Sequence, residues 1–411
     1  MNFEILNAYP EPNSDHDLIS QKSLRAVEMA LKNHAQLAQA LLAGFSQSRD
    51  IQQKLEKFKS QFTKFVVVGI GGSSLGIQVL QEYFAKKDFI FIDNVDAYEF
   101  DFQLSQLTDY KKTLWLFVSK SGETIETLST LELIHQFYSE KGLNLGLNSI
   151  VITENKESSL NEWAQKNAVL SFEIPLVVGG RYSILSPVGL VPAALMNLDL
   201  SALEKGARSA MAQPQLIAQF VAEVLKSFDR KEYITVLWSY SSRLKKFGFW
   251  WQQLWAESLG KKLNLKGEAA RRASTPLPLI GATDQHSVLQ QIAEGSKDKF
   301  VIFLRSQMAE SGQQQIKSPI FKTSSDLKSK TLGHLLRAEA DATQMSLDVL
   351  KVSNLTLKSD HHDEENLGFL FMFFQIAVLA IGHELEINPV DQPGVEHGKK
   401  LCNQLLADRR N

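Results

Sequence analysis

The sequence predicts an α/β protein built from two doubly wound parallel sheets, with an N-terminal helical arm and a C-terminal tail. Short apolar runs, many of them β-branched, alternate with longer stretches of helical character, first over residues 65–174 and again over 233–383. Each half begins with a strand that runs into a Ser/Gly-rich turn, at residues 71–74 and 239–242. Buried strands that alternate with helices are typical of parallel sheets covered on both faces.

The individual elements follow from these runs. Residues 18–55 have apolar side chains mostly at three- and four-residue steps, which predicts helix. The predicted strands cover residues 65–68, 89–92, 114–118, 149–152 and 169–174 in the first half, and 233–238, 300–304 and 352–357 in the second. Long helices are predicted over residues 243–259, 332–347 and 366–383. We expect an arm over residues 1–50, α/β domains over 51–200 and 201–385, and a C-terminal segment over 386–411.

Composition narrows the class of protein. The chain has 411 residues, 44% of them hydrophobic and 22% charged, as is usual for globular proteins. A net charge of −2 argues against general binding to nucleic acids or acidic membranes, but it allows a local basic pocket for a small anion. The single cysteine, Cys402, fits a reducing compartment. The N-terminus lacks the basic and apolar regions of a signal peptide, so we expect a cytoplasmic protein.

One apolar run, over residues 367–382, could be mistaken for a membrane span. It is shorter than the roughly 20 residues that a span requires, and Gln375 lies in its middle. The sequence therefore predicts a helix buried at a domain or subunit interface of a soluble protein.

Two loops rich in glycine and hydroxyl side chains follow strands of the first half. Residues 69–76 follow one strand, and residues 119–124 follow another. Each loop would lead into the N-terminus of a helix, where free N–H groups and the helix dipole favour an anion. Either loop alone is compatible with an ordinary tight turn, but two in one sheet favour a phosphate site.

A nucleotide site is less compatible with these loops. The dinucleotide fingerprint would place its third glycine at position 74, where Ser74 stands. The Gly-Lys-Ser/Thr ending of a Walker A loop is absent from both loops. A phosphosugar site is the simpler interpretation.

Six motifs in order along the chain give a more specific resemblance. They are Gly-Ile-Gly-Gly-Ser at 69–73, Ser-Lys-Ser-Gly-Glu-Thr at 119–124, Gly-Gly-Arg-Tyr-Ser at 179–183, Gln-Leu-Trp-Ala-Glu-Ser at 253–258, Asp-Gln-His-Ser at 284–287 and Asp-Gln-Pro-Gly-Val-Glu-His-Gly-Lys at 391–399. The series resembles the glucose-6-phosphate isomerase family, whose fold contains two sugar-isomerase domains. Any one motif could arise by chance, but six in family order could not.

The resemblance implies a role for each matching residue. Four residues would be catalytic: Glu257 as general base, Arg181 beside the enediolate, and the ring-opening pair His286 and Lys399. The substrate phosphate would bind Ser73, Ser119, Lys120, Ser121 and Thr124. The substrate hydroxyls would contact Gly72, Gln253 and Gln392. It also implies a homodimer in which His286 reaches the site of the neighbouring subunit, and no cofactor.

The chemistry of aldose–ketose conversion agrees with these residue types. One carboxylate in a partly dry cleft can remove a carbon-bound proton and return it to the neighbouring carbon. A guanidinium stays charged beside the enediolate, and a histidine with a lysine can supply the acid and base for ring opening. This chemistry needs no metal, and the sequence contains no HExxH or paired-cysteine spacing.

Several alternatives stay open at this level. The enzyme could be a dual phosphoglucose/phosphomannose isomerase, or the chain could be a sugar-phosphate-binding regulator without catalysis. Glu257 and Lys261, four residues apart on a helix, could form an ordinary surface ion pair. Glu123 places a carboxylate inside the second loop, and we expect it to point away from the phosphate.

Overall fold

The computed structural model describes residues 3–9, 16–307, 309–359 and 361–407. The strands are β1 (Phe3–Tyr9), β2 (Lys64–Val68), β3 (Phe89–Ile92), β4 (Thr113–Val118), β5 (Ser149–Thr153), β6 (Leu170–Glu173), β7 (Ile234–Ser239), β8 (Thr275–Ile280), β9 (Lys299–Ser306) and β10 (Asn354–Ser359). The α-helices are α1 (His16–Asn33), α2 (Ala35–Ser46), α3 (Ser48–Gln61), α4 (Leu75–Tyr83), α5 (Ala97–Ser105), α6 (Ile125–Glu140), α7 (Ser159–Lys166), α8 (Pro187–Leu195), α9 (Leu200–Met211), α10 (Pro214–Asp229), α11 (Lys245–Leu259), α12 (Leu289–Glu294), α13 (Leu332–Val349), α14 (Glu364–Glu384) and α15 (Glu396–Ala407).

The first sheet is parallel throughout, with the strand order β3-β2-β4-β5-β6. All residues of β4 and β5 are buried, which explains why these strands are continuous apolar runs rather than alternating ones. From β2 the chain winds outward to β3, then returns to the other side of β2 at β4. This reversal makes a topological switch point, where ligands of open α/β sheets bind.

The second sheet has the order β1-β10-β9-β7-β8, and its first strand is antiparallel to its neighbour. The prediction of a helical arm over residues 1–50 is therefore wrong at its start, because Phe3–Tyr9 pairs with β10. The Phe3 ring stacks on Phe369 of α14 with 3.7 Å between the ring centroids. An edge strand contributed by a distant segment leaves little trace in local sequence.

Strand β8, with the sequence TPLPLI, was missed by the sequence prediction. Pro276 and Pro278 each lack the N–H that a central strand would donate. In the structure β8 pairs only with β7, so it is an edge strand and its outer side needs no donors.

Helix α14 lies in the core of the chain. Every residue from Asn366 to Gly382 is buried, and a single apolar cluster runs from Val67 in the first sheet to Ile302 in the second. By length and composition α14 could cross a membrane, but 94% of its apolar window is buried within the protein, which confirms the interpretation as a buried helix. The two halves thus share one apolar core, and the limits of domains 51–200 and 201–385 stay a prediction.

Candidate active site

The loop after β2 lies at the switch point of the first sheet and is shaped by glycine. It forms a short 3-10 helix, Gly71–Ser73, before α4. Gly71 has a φ of +59°, in the left-handed region that favours glycine. A Cβ at Gly72 would lie 2.3 Å from the carbonyl of Gly180. Glycine at this position therefore allows the loop to contact the backbone that carries Arg181.

The loop after β4 lies on the other side of the switch point and ends at the N-terminus of α6. Thr124 is the N-cap residue of α6, and its side chain makes no capping hydrogen bond. Gly122, with a φ of +69°, reverses the chain between Ser121 and Thr124. The first N–H groups of α6 and the hydroxyls of this loop are thus available to an anion.

Ser119, predicted as a phosphate ligand, lies at the start of this loop. It is buried, its hydroxyl accepts a hydrogen bond from the Gly122 N–H at 3.1 Å, and it lies 2.8 Å from the hydroxyl of Thr124. The hydroxyl is therefore engaged within the loop. Ser121 and Thr124 line the open cavity although they also hydrogen-bond within the loop, where the Ser121 hydroxyl accepts from the Glu123 N–H at 3.1 Å, so the phosphate role of Ser119 stays a prediction.

Glu123 points away from the cavity, as expected from the sequence. Its carboxylate accepts hydrogen bonds from the Ser159 N–H at 2.6 Å and from the Ser159 hydroxyl at 2.9 Å. The negative charge is thus placed at the start of α7, where the helix dipole favours it. A carboxylate in the loop is therefore compatible with an anion on the opposite side.

A buried carboxylate holds two lysines beside the second loop, and sequence reasoning missed both it and one of the lysines. Glu154 is 5% exposed and forms ion pairs with Lys120 at 3.3 Å and with Lys156 at 2.6 Å. All three side chains line the cavity. A signal existed, because Glu154 directly follows β5 and so lies at the same edge of the sheet as the other two loops.

Arg181 is buried, and all five of its N–H donors are used. It lies in a 3-10 helix (Gly180–Leu185), and its side chain is 2% exposed. Its acceptors are the Ser258 hydroxyl (2.7 Å), Glu257 Oε2 (3.2 Å), Gln392 Oε1 (3.0 Å) and the carbonyls of Pro389 (2.6 Å) and Asp391 (2.9 Å). A guanidinium held at this many points keeps one orientation during a reaction.

Glu257 lies near the carboxyl end of α11 and is fixed from two sides. Gln253, one turn earlier, donates to Oε1 at 3.0 Å, and Arg181 donates to Oε2. The side chain is 29% exposed and lines the cavity, while the three tryptophans of the same helix are buried. Lys261 does not pair with this carboxylate but with Asp391, so the interpretation of Glu257 as half of a surface ion pair is wrong.

These groups meet in an open cavity of about 420 Å³. The predicted site residues that line it are Gly72, Ser73, Lys120, Ser121, Thr124, Arg181, Gln253, Glu257, Gln392 and Lys399. Lys399 is exposed on α15 and pairs with Glu396 at 2.9 Å. His286 is not brought to the cavity; it is exposed at the end of a 3-10 helix (Thr283–His286) after β8.

The fold and this cavity define an α/β enzyme with an anion site beside a carboxylate–guanidinium pair. Phosphoglucose isomerase is the family whose model matches the sequence, over residues 37–411. The chain belongs to the phosphoglucose isomerase family, and membership makes it an aldose–ketose isomerase.

Individual relatives agree with this assignment. The glucose-6-phosphate isomerase of Carboxydothermus hydrogenoformans is 33% identical over 385 residues, which are 87% of this chain and 82% of that protein. The crystal structure of a hypothetical protein from Thermus thermophilus superposes with a TM-score of 0.88, at 30% identity, over 99% of this chain and 100% of the other. A glucose-6-phosphate isomerase from Chlamydia trachomatis shares the fold, with a TM-score of 0.76, 22% identity and coverage of 98% and 81%.

Proposed function

We propose that the protein interconverts glucose 6-phosphate and fructose 6-phosphate through a cis-enediolate, with Glu257 as the general base. The observation that carries the proposal is the pairing of the Glu257 carboxylate with Arg181, 3.2 Å apart, in the same cavity as the two anion loops. A regulator that only binds sugar phosphates would need the loops but not this pair.

The phosphate group would bind at the N-terminus of α6 and the Gly71–Ser73 turn. The hydroxyls of Ser73, Ser121 and Thr124 would donate to its oxygens, and the charge of Lys120 would attract it. This anchoring would present the carbon atoms at the other end of the sugar to Glu257. Binding of the remote phosphate thus supplies orientation for the reacting carbons.

The proton transfer would then need one base and one fixed cation. Glu257 takes the proton from C2 of the open aldose, and the electron pair forms the C1–C2 double bond of the enediolate. Arg181 stabilises the oxygen that becomes negative, because it is already oriented and keeps its charge. The hydroxyl proton on O2 passes to O1, and as the C2 carbonyl forms the protonated Glu257 returns its proton to C1, which gives the ketose. Gln253 and Gln392 would hold the hydroxyls of the substrate.

Ring opening would involve Lys399 and a histidine from a second copy of the chain. His286 is exposed and lies outside the cavity of its own chain, so it is available to a neighbouring site. Helix α15 has no buried residue, and it exposes Leu401, Leu405 and Leu406. Three leucines that the described part of the chain leaves exposed on one helix support assembly, so we propose a homodimer. The tryptophans of segment 250–255 and the apolar segment 367–382 add no support for a dimer, because they are buried within one chain.

The remaining expectations belong to the same proposal. We place the enzyme in the cytoplasm, with no cofactor, no metal and no nucleic-acid or membrane partner. Whether mannose 6-phosphate is also a substrate depends on contacts to the hydroxyl at C2, and a dual phosphoglucose/phosphomannose isomerase is the second candidate function.

The deciding experiment is a coupled assay of fructose 6-phosphate conversion in the presence of a chelator, with wild type and Glu257→Gln. Glutamine keeps the size and one oxygen of the side chain but cannot take the proton. We expect turnover of the wild type, and a loss of at least about 10²–10⁴-fold in the variant, with little change in substrate binding. Exchange of the C2 proton with solvent should disappear as well.

Half-buried Glu204, as exposed as Glu257 and paired with Arg208 on α9, gives a matched control, Glu204→Gln, which should keep full activity. A wild-type enzyme without turnover would refute the proposed reaction. A Glu257→Gln variant with near-normal turnover would show that another residue is the base.

A further inference from the structure

Lys261 is a buried cation beside the active site that the reaction described above does not use. It is the second residue after the end of α11, and its side chain is 6% exposed. It does not line the cavity of the two anion loops, but it lines an adjoining cavity that shares Glu257 and Gln392 with it. The next residue, Lys262, is exposed to solvent. Two adjacent lysines with opposite exposure show that burial of the first is specific to its position.

The ammonium group of Lys261 joins two separate parts of the chain. It donates to the backbone carbonyl of Glu257 at 2.8 Å, and thus to the end of the helix that carries the general base. It also donates to the backbone carbonyl of Asp391 at 2.5 Å and forms an ion pair with the Asp391 carboxylate at 2.9 Å. The three contacts use the three donors of an ammonium.

The Asp391 segment is the one that holds Arg181 and Gln392. The carbonyl of Asp391 accepts from Arg181 Nη2 at 2.9 Å as well as from Lys261. The neighbouring Gln392 accepts from Arg181 Nη1 at 3.0 Å. The carbonyl oxygen of Asp391 therefore connects Lys261 to the Arg181 guanidinium. The guanidinium in turn donates to Gln392.

Burial of this cation has an electrostatic cost. Loss of solvent lowers the pKa of Lys261 below its usual value, and the Asp391 carboxylate acts in the opposite direction. An exposed position, such as that of Lys262, would avoid this cost. The Lys261 ammonium lies between two backbone carbonyls and one carboxylate, and this geometry can hold the two segments together like a clamp.

We propose that Lys261 is a positioning residue for the isomerisation: it clamps the end of α11 to the Asp391 segment and so sets the separation of Glu257 from Arg181 and Gln392. The inference rests on the proposed role of Glu257 as the base. Without the clamp the helix end and the segment can shift relative to each other. A displacement of about 1 Å between reacting groups can lower a rate by about 10²-fold.

The test compares Lys261→Met, which keeps the length of the side chain and removes its charge and donors, with Lys262→Met as the matched control. Fructose 6-phosphate turnover gives kcat and KM, and calorimetry with a linear sugar-acid phosphate that cannot be isomerised gives the binding constant and the fraction of competent sites. We expect a 10- to 100-fold lower kcat per competent site in Lys261→Met, with KM and inhibitor affinity within about threefold of wild type. Lys262→Met should match the wild type.

Two more variants keep the test decisive if Lys261→Met is poorly soluble. Lys261→Arg retains the charge and donors and should recover most of kcat, which a loss of packing alone would not explain. Asp391→Asn removes the ion pair from its half-exposed end, keeps the backbone carbonyl and should lower kcat by a smaller factor in the same direction.

The outcomes distinguish a failure of the proposed role of Lys261 from a failure of the proposed function. A kcat of Lys261→Met within threefold of Lys262→Met would overturn the clamp, as would an equal loss of inhibitor affinity and kcat. Neither result affects the role of Glu257, which Glu257→Gln tests in the same assay. Full turnover by Glu257→Gln would instead refute the base assignment, even if Lys261→Met were slow.

Discussion

Replacement of Arg181 by lysine tests whether its fixed, forked geometry matters or only its charge. The guanidinium donates five hydrogen bonds, whereas an ammonium on a more flexible stem has three donors. Of the five acceptor atoms, at least two must therefore lose their hydrogen bond from residue 181. The Pro389 carbonyl keeps one, because the Tyr182 hydroxyl also donates to it at 3.2 Å. The Asp391 carbonyl likewise keeps a donor, Lys261, so a loss that affects the reaction is one at Glu257 or Gln392, the groups nearest to it.

The expected losses of kcat and of stability follow from these contacts. Removal of one oriented donor from a developing oxyanion typically lowers kcat by about 10²–10³-fold. Each buried acceptor left without a donor also lowers the free energy of unfolding by about 1–3 kcal/mol. We expect Arg181→Lys to lose about 10²–10³-fold in kcat and to unfold at a lower temperature. KM should change by less than about threefold, because the phosphate loops remain intact.

The assay is steady-state conversion of fructose 6-phosphate, paired with thermal unfolding followed by circular dichroism. Arg208→Lys on the exposed face of α9 serves as a control for the exchange of arginine for lysine, and it should be neutral in both measurements. An Arg181→Lys enzyme with kcat within fivefold of wild type would show that a positive charge suffices. A large rise in KM with unchanged kcat would place Arg181 in ground-state binding instead.

The other predictions concern the loops and the subunit contact. Ser121→Ala with Thr124→Ala should weaken a linear sugar-phosphate inhibitor by about 1.5–3 kcal/mol for each lost hydrogen bond, and an unchanged inhibition constant would exclude both from the phosphate site. Gly72→Ala should abolish activity because its Cβ would lie 2.3 Å from a backbone carbonyl, and a fully active variant would show that the loops can separate. Inactive His286→Ala and Glu257→Gln chains, mixed and reassembled, should regain up to about half of wild-type activity; tagged mixed dimers that stay inactive would refute a shared site.

Much of the architecture could be predicted from local pattern because parallel strands are buried on both faces. The runs at 114–118 and 149–152 are apolar without interruption, and they fall within β4 and β5. The same logic failed for β8, whose prolines are tolerated at an edge, and for β1, whose partner strand lies some 350 residues away in the chain. Edge strands depend on what lies beside them, and local sequence does not contain that information.

As with the fold, part of the site could be predicted from the sequence. Family motifs named the groups that line the cavity, and a strand followed by glycine and hydroxyl residues identified the anion loops. They did not show that Ser119 is buried while Ser121 lines the cavity, because burial depends on how the loop packs against its neighbours. They also missed Glu154 and Lys156, which reach the cavity from the end of β5.

The sequence by itself determined the fold class, the family and the identity of the chemical groups, because strand period, loop composition and motif order are properties of neighbouring residues. Only the tertiary structure decided how these groups are oriented. It placed the carbonyl of Asp391 between Arg181 and Lys261, and it left His286 exposed outside the cavity of its own chain. Such contacts join residues more than 100 positions apart, and their geometry follows from packing of the two sheets rather than from any local pattern.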